Sequence, residues 1–217
     1  MKERPILFSS LMVRALLNCT KSQTRRVAIK TSQPRAVYIT DFDATECSIE
    51  IENKHSGDRY WKSCPYGQPG DRLWVREAFA IVPRTAYRCS EGVQQTLRPD
   101  DDHDAAIYRE GWARSRSGFR WRPSIHMPRW ASRLLLEITS VSIERLNNIS
   151  EADAKAEGLH YDDEIPFNGP WFIGACEPDG FANPVDAYRE LWESINGTGS
   201  WEENPWVWVV QFKRVQP

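Results

Sequence analysis

Hydrophobic and polar positions follow two rhythms along the chain. In "SSLMVRALLN", Leu11, Ala15 and Leu16 share a face at helical spacing behind Ser9 or Ser10 as a cap, which predicts a short helix. "ISEADAKAEG" predicts a second, with Ser150 as cap, Asp153 three residues on and Gly158 as the stop. "NPVDAYRELWESING" predicts a third, with Pro184 in its first turn and Gly197 after its end. The other rhythm is the period of two. In "RLWVREAF", Leu73, Val75 and Glu77 fall on one side of a strand, and Trp74, Arg76 and Ala78 on the other. "AVYIT" and "CSIEIEN" read as a hairpin around "DFDATE". "PILFSS" and "AIYR" read as short strands, "SRLLLEITSVSIERL" as a long strand kinked near Ser140, and "PWVWVVQFKRV" as a closing strand. "CPYGQPGD" is a turn by its Pro and Gly content.

Residues 80–130 and "YDDEIPFNGPWFIGACEPDGFA" lack a clear period and read as elaborated loops. The order of elements predicts one α+β domain over residues 1–217, built on a small, mostly antiparallel β-barrel with flanking helices and large loop insertions. The length of 217 residues and 41% hydrophobic content suit a chain that buries a core. Ten Trp are unusually many, and most are expected in core or loop-anchoring roles, the rest being candidates for stacking on a base or sugar.

Net charge is only -2, but its distribution is uneven. Residues 1–35 hold eight Lys or Arg against Glu3, and residues 109–133 hold seven Arg against Glu110. Residues 144–193 hold twelve acids against three basic residues. A two-part basic surface facing a polyanion, with the acids on the other side, is the functional reading. Five cysteines without a C-x-x-C pair argue against a disulfide framework or structural zinc, and suggest reduced thiols in a cytoplasmic protein. No apolar run approaches the roughly 18 residues of a membrane span, and no signal peptide is evident. In "PDDDHD", Asp100, Asp101, Asp102, His103 and Asp104 are adjacent acids that splay into solvent, so neither a metal nor a cofactor is expected.

"LLNCTKSQTRR" ends an apolar run and sets Lys21, Thr24, Arg25 and Arg26 within six residues. By itself this is a basic surface turn. A threonine hydroxyl becomes a nucleophile only when a base takes its proton, and lysine is such a base only if its pKa falls from about 10.4 toward about 7–8. Arg25 and Arg26 are cations of the kind that lower it. Glu77 is a second acidic candidate, on a face that demands a partner such as Arg. "GWARSRSGFRWRPSIHMPRW" interleaves Arg with aromatics. Arg120, Trp121, Arg122 and Arg129, with Arg76, suit stacking and phosphate contact, although Arg also packs on aromatics structurally. His126 is a candidate proton shuttle or a plain loop histidine.

Four ordered segments carry a resemblance. "NCTKSQTRR" resembles the signature turn of ASCH domains, G-x-K-x-x-E-x-R, in the PUA-like superfamily of small β-barrels that bind RNA or modified bases. Lys21 and Arg26 match its Lys and Arg, Cys19 stands where Gly is usual, and Thr24 stands where Glu is usual. The Thr variant is similar to the bacterial N4-acetylcytidine amidohydrolases. "PGDRLWV", "LLEITSVSIERLNNISEADAKAEG" and "VWVVQFKRV" continue the likeness. It implies a Lys, Thr and Glu triad on Lys21, Thr24 and Glu157, with insertions near 27–68, 80–130 and 159–200. The whole chain is also similar to larger ASCH-type proteins of bacteriophages and prophages, which implies a bacterial host cell as its setting.

The resemblance implies a hydrolase of N4-acylated cytosine, with RNA, nucleic acid or a modified nucleoside as partner. Lys21 is then the base, or it supplies charge to the oxyanion while Glu157 orients or activates a group. Alternatives are a non-catalytic reader of RNA or of a modified base, a ribonuclease, and a phage protein that binds a host protein. The long Arg/Trp loops favour a base held within a polymer.

Overall fold

The computed structural model describes residues 1–29, 37–112, 118–162, 169–173 and 180–215. It is a mixed α+β fold dominated by antiparallel sheets, with few helices. The central sheet comprises β1 (Glu3–Leu7), β2 (Gln23–Val27), β6 (Arg72–Arg76), β10 (Leu135–Arg145) and β13 (Trp206–Val215), in the order β1-β6-β10-β13-β2. Only the β1–β6 pair is parallel. Among the described residues the pairing is open, with β1 and β2 as its edges.

Both faces of β13 are covered: Val207, Trp208, Val209, Val210 and Phe212 are all buried. This explains the near-continuous apolar run of the segment. The kink expected near Ser140 is a register shift between Ile138 and Ser140 against β13, so β10 stays paired along its length while bending.

The three helices form where their caps stand. α1 (Ser10–Leu17) is capped by Ser9, α2 (Glu151–Ala156) by Ser150, and α3 (Pro184–Asn196) by Asn183, each side chain accepting from a backbone N–H of the first turn. α1 buries Met12, Val13, Ala15 and Leu16, and α3 buries Ala187, Tyr188, Leu191 and Trp192 against the same core.

Two regions hold more order than their sequence suggests. The expected hairpin, β3 (Val37–Asp43) and β4 (Ser48–Asn53), is extended by β5 (Arg59–Ser63) into a three-stranded sheet. Residues 80–130 are not simply loop. β7 (Phe79–Pro83), β8 (Gln95–Leu97) and β9 (Asp104–Tyr108) form a sheet in the order β7-β9-β8, with small cores of its own on both faces. The strands here are too short for period-two alternation to emerge from one sequence. In the irregular segment, β11 (His160–Tyr161) pairs with β12 (Trp171–Phe172). No helix among the described residues is long and apolar enough to cross a membrane.

Candidate active-site cavity

The site is built where two helix ends meet. After α1 the chain closes a Schellman turn: Thr20 N–H donates to Ala15 O at 2.9 Å, and Cys19 N–H to Leu16 O at 3.2 Å. Cys19 sits at φ 60, the left-handed position that glycine favours. The next amide, Lys21 N–H, also reaches Ala15 O at 3.3 Å, which fixes the start of the Lys21 side chain. After α2, Glu157 is the C-cap and Gly158 turns at φ +94. Lys21 and Glu157 form a β-bridge, and Ser22 N–H donates to Ala156 O at 2.9 Å, which locks the two turns together. The approach is tight, because a Cβ on Gly158 would lie 2.7 Å from Ala15 Cβ and 2.9 Å from Lys21 Cβ.

Lys21 is wholly buried and donates twice to one residue. Its Nζ is 2.7 Å from Glu157 O and 2.8 Å from Glu157 Oε2. It also lies over the Phe8 ring, 5.5 Å from the centroid. Burial pulls the Lys21 pKa below the ordinary lysine value; Glu157 opposes the shift, and the nearby Arg26 and Arg25 add to it. Despite the short ion pair, desolvation of the ammonium is the larger effect.

Arg25 sits beside this pair as a buried hub. Its Nη1 is 3.3 Å from Glu157 Oε1, its Nε and Nη2 are 2.9 and 2.6 Å from Glu144 Oε1, and its Nη2 is 3.4 Å from Asp153 Oδ2. Although burial alone would lower the Arg25 pKa, the Glu157 and Glu144 carboxylates raise it above the usual arginine value, so the guanidinium is a permanent charge. Thr24 is buried on β2 opposite Val210 of β13. No hydrogen bond of its hydroxyl is found among the described residues.

Lys21, Thr24, Glu157, Arg25 and Arg26 all line one cavity of about 120 Å³. Its other walls are Phe8 and Met12 from the α1 side, and Tyr188, Leu191 and Trp192 from α3. The α3 residues were not singled out as functional from the sequence, because Tyr188 and Trp192 sit four apart on an apolar helix face and read as core. Trp192 Nε1 is buried without a partner among the described residues. The Tyr188 hydroxyl also has no hydrogen-bond partner among the described residues, and burial with the neighbouring Glu157 holds its pKa well above the ordinary phenol value.

Other expected site residues lie elsewhere. Glu77 is paired with Arg133, whose Nε and Nη2 donate to its two oxygens at 2.9 and 2.8 Å. It is a buried structural acid, as its strand face required, and does not line the Lys21 cavity. Arg76 lies over the Trp74 ring at 4.8 Å. Trp121 is not a free stacking platform: it packs edge-on against Phe119 and Trp112 at 4.9 and 5.6 Å. Arg120 and His126 are exposed, the backbone of Arg122 bridges Phe79, and Arg129 pairs with Glu3 at 2.7 Å. None of these lines the Lys21 cavity.

The separation of charge expected from the sequence is also corrected. Lys21 and Arg25 of the basic N-terminal segment are neutralised by Glu144, Asp153 and Glu157 of the acidic one, because two complementary segments in one chain gain more by pairing than by facing solvent. Arg14 likewise pairs with Glu110 at 2.8 Å. Lys30, Arg35, Arg114 and Arg116 lie outside the described residues.

A second cavity of about 180 Å³ shares Phe8 and Ser9 with the first and is lined by Glu77, Glu110 and Ser124. Among the described residues no group of His, Cys, Asp and Glu could hold a metal ion, and Cys19, Cys47, Cys64 and Cys89 are free thiols. Comparison with known proteins finds no matching family model, no matching curated protein and no matching solved structure.

Proposed function

We propose that the protein is an amidohydrolase of the ASCH type, with a PUA-like barrel ancestry, acting on an N4-acylated cytosine nucleoside through Lys21, Thr24 and Glu157. One observation carries the reading: Lys21 and Thr24, neighbours in one turn, and Glu157, 136 positions beyond Lys21, line a single cavity, with Lys21 and Glu157 in direct contact. The resemblance of "NCTKSQTRR" and "ISEADAKAEG" to the amidohydrolase motifs names the same three positions.

The geometry favours Lys21 as base over Lys21 as a source of charge. Neutral lysine has two N–H groups and one lone pair. Glu157 O and Oε2 occupy two donor directions at 2.7 and 2.8 Å, and the lone pair is left for the Thr24 proton. Arg25 keeps the Glu157 carboxylate compensated when Lys21 is neutral. Thr24 Oγ1 attacks the acyl carbonyl while its proton passes to Lys21, and that proton goes to the departing cytosine nitrogen as the C–N bond breaks. Water then cleaves the threonyl ester and releases the acid. Glu157 holds and orients the Lys21 amine. No metal or cofactor enters the scheme.

The substrate is small. A cavity of about 120 Å³ takes an acylated base edge. Incubation of the purified protein with N4-acetylcytidine should release cytidine. The Thr24→Val variant should be inactive while unfolding at the wild-type temperature. Wild-type release no greater than that of Thr24→Val overturns the reading.

Capture of a modified base in RNA without chemistry is the second reading, and the unpaired Thr24 hydroxyl favours it. It predicts RNA affinity whose logarithm falls steeply and linearly with log salt.

A further inference from the structure

We infer that Tyr188 is a catalytic residue: its hydroxyl donates a hydrogen bond to the acyl oxygen of the ligand as negative charge develops there. The inference rests on the hydrolase reading and adds to it the missing oxyanion donor. With both Lys21 donor directions taken by Glu157, the Lys21–Thr24–Glu157 cluster itself offers no free neutral donor.

Four observations converge on Tyr188. It is only 3% exposed, on α3, across the cavity from β2. Its hydroxyl has no hydrogen-bond partner among the described residues and its side chain lines the cavity, so the group is available to a ligand there. Glu157, Arg25 and Arg26 line the same cavity and, with Glu144, act electrostatically on the phenol. Its ring lies beside two aromatic neighbours, with Trp192 and Trp201 centroids at 6.3 and 6.2 Å, which restrict its movement. A rigid donor that needs no reorganisation is what oxyanion stabilisation requires.

In the step concerned, the Thr24 Oγ1–carbon bond forms and the carbonyl π pair moves onto oxygen. The Thr24 proton goes to Lys21, and the Tyr188 proton stays on Tyr188, shared with the new oxyanion. Burial and Glu157 keep the phenol protonated throughout the working pH range.

The test is Tyr188→Phe, which keeps the ring and its packing, assayed on N4-acetylcytidine beside wild type and Thr24→Val. The expected result is a fall in kcat of roughly 10²–10³-fold with KM changed far less, as for loss of one oxyanion donor. Thermal unfolding of Tyr188→Phe should match that of wild type, because the ring and its packing stay and no hydrogen bond to a described residue is lost. A merely structural tyrosine would lower stability and leave kcat intact. An active wild type with Tyr188→Phe within twofold in kcat overturns the assignment alone. An inactive wild type overturns the hydrolase reading and this assignment with it.

Discussion

Lys21 Nζ and Glu157, 136 positions apart in the chain, are joined by two hydrogen bonds, one to the backbone carbonyl and one to the carboxylate. The carbonyl bond depends on the turn after α2, and the carboxylate bond on the side chain that the same turn projects. One residue thus sets both the position and the charge environment of the amine.

The pH dependence of turnover should follow this pair. Only neutral Lys21 accepts the Thr24 proton, so kcat/KM should rise with pH to a plateau, with its midpoint below the ordinary lysine value. Glu157 raises the Lys21 pKa, so Glu157→Gln should move the midpoint to lower pH while impairing the rate. The stability sign is the same. Because the folded value is depressed, the unfolded chain binds more protons between the folded and ordinary values, and stability from this group rises with pH across that window. Initial rates and chemical unfolding at stepped pH check both.

Gly158→Ala should damage activity through Lys21. The residue sits at φ +94, and the added Cβ would stand 2.7 Å from Ala15 Cβ and 2.9 Å from Lys21 Cβ. Backbone strain costs about 1–3 kcal/mol. Denaturant unfolding should register that loss, and turnover should fall more than the remaining folded fraction explains, since the turn that carries Glu157 shifts.

Cys19→Gly should stabilise the protein. Cys19 holds φ 60 at the position after the α1 cap. Relief of left-handed strain is worth roughly 1–2 kcal/mol, and the greater freedom of unfolded glycine returns about half of it. A net gain of about 0.5–1 kcal/mol in urea unfolding, with activity unchanged, is the expected outcome.

Glu77→Ala should be severely destabilising without being a catalytic lesion. It strips Arg133 of both carboxylate bonds inside the second sheet region, where Arg133 also stacks 4.0 Å from the Tyr108 ring centroid and donates to Gln94 at 2.8 Å. An uncompensated buried guanidinium costs about 3–5 kcal/mol. Replacing both residues, as Glu77→Leu with Arg133→Met, should recover much of the loss in a double-mutant cycle.

Much of the fold was legible because its signals are local. Ser9 and Ser150 cap helices through contacts three residues away, and Pro184, Gly158 and Gly197 mark boundaries by their own backbone preferences. The β10 kink near Ser140 and the alternation through Leu73 and Val75 were equally readable. "AIYR" marked β9, but β7 and β8 and the sheet the three form were not legible, because the strands are held by partners 8 to 29 positions away rather than by a period of their own.

The site divides the same way. Residue type and spacing left the turn bearing Lys21 and Thr24 a basic surface turn, and only the resemblance of its motif and of the α2 motif to ASCH sequences singled out Lys21, Thr24 and Glu157. Arg25 gave no sign of being a buried hub, nor Tyr188 of facing a cavity, nor Trp121 of being spent in an aromatic cluster. The sequence by itself determined which residues start and stop each helix, which strands alternate, and which side chains carry reactive groups. Only the tertiary structure decided which of those groups meet, because charge pairing and burial are set by sheet register and helix packing. Those act across more than a hundred residues and leave no trace in local order.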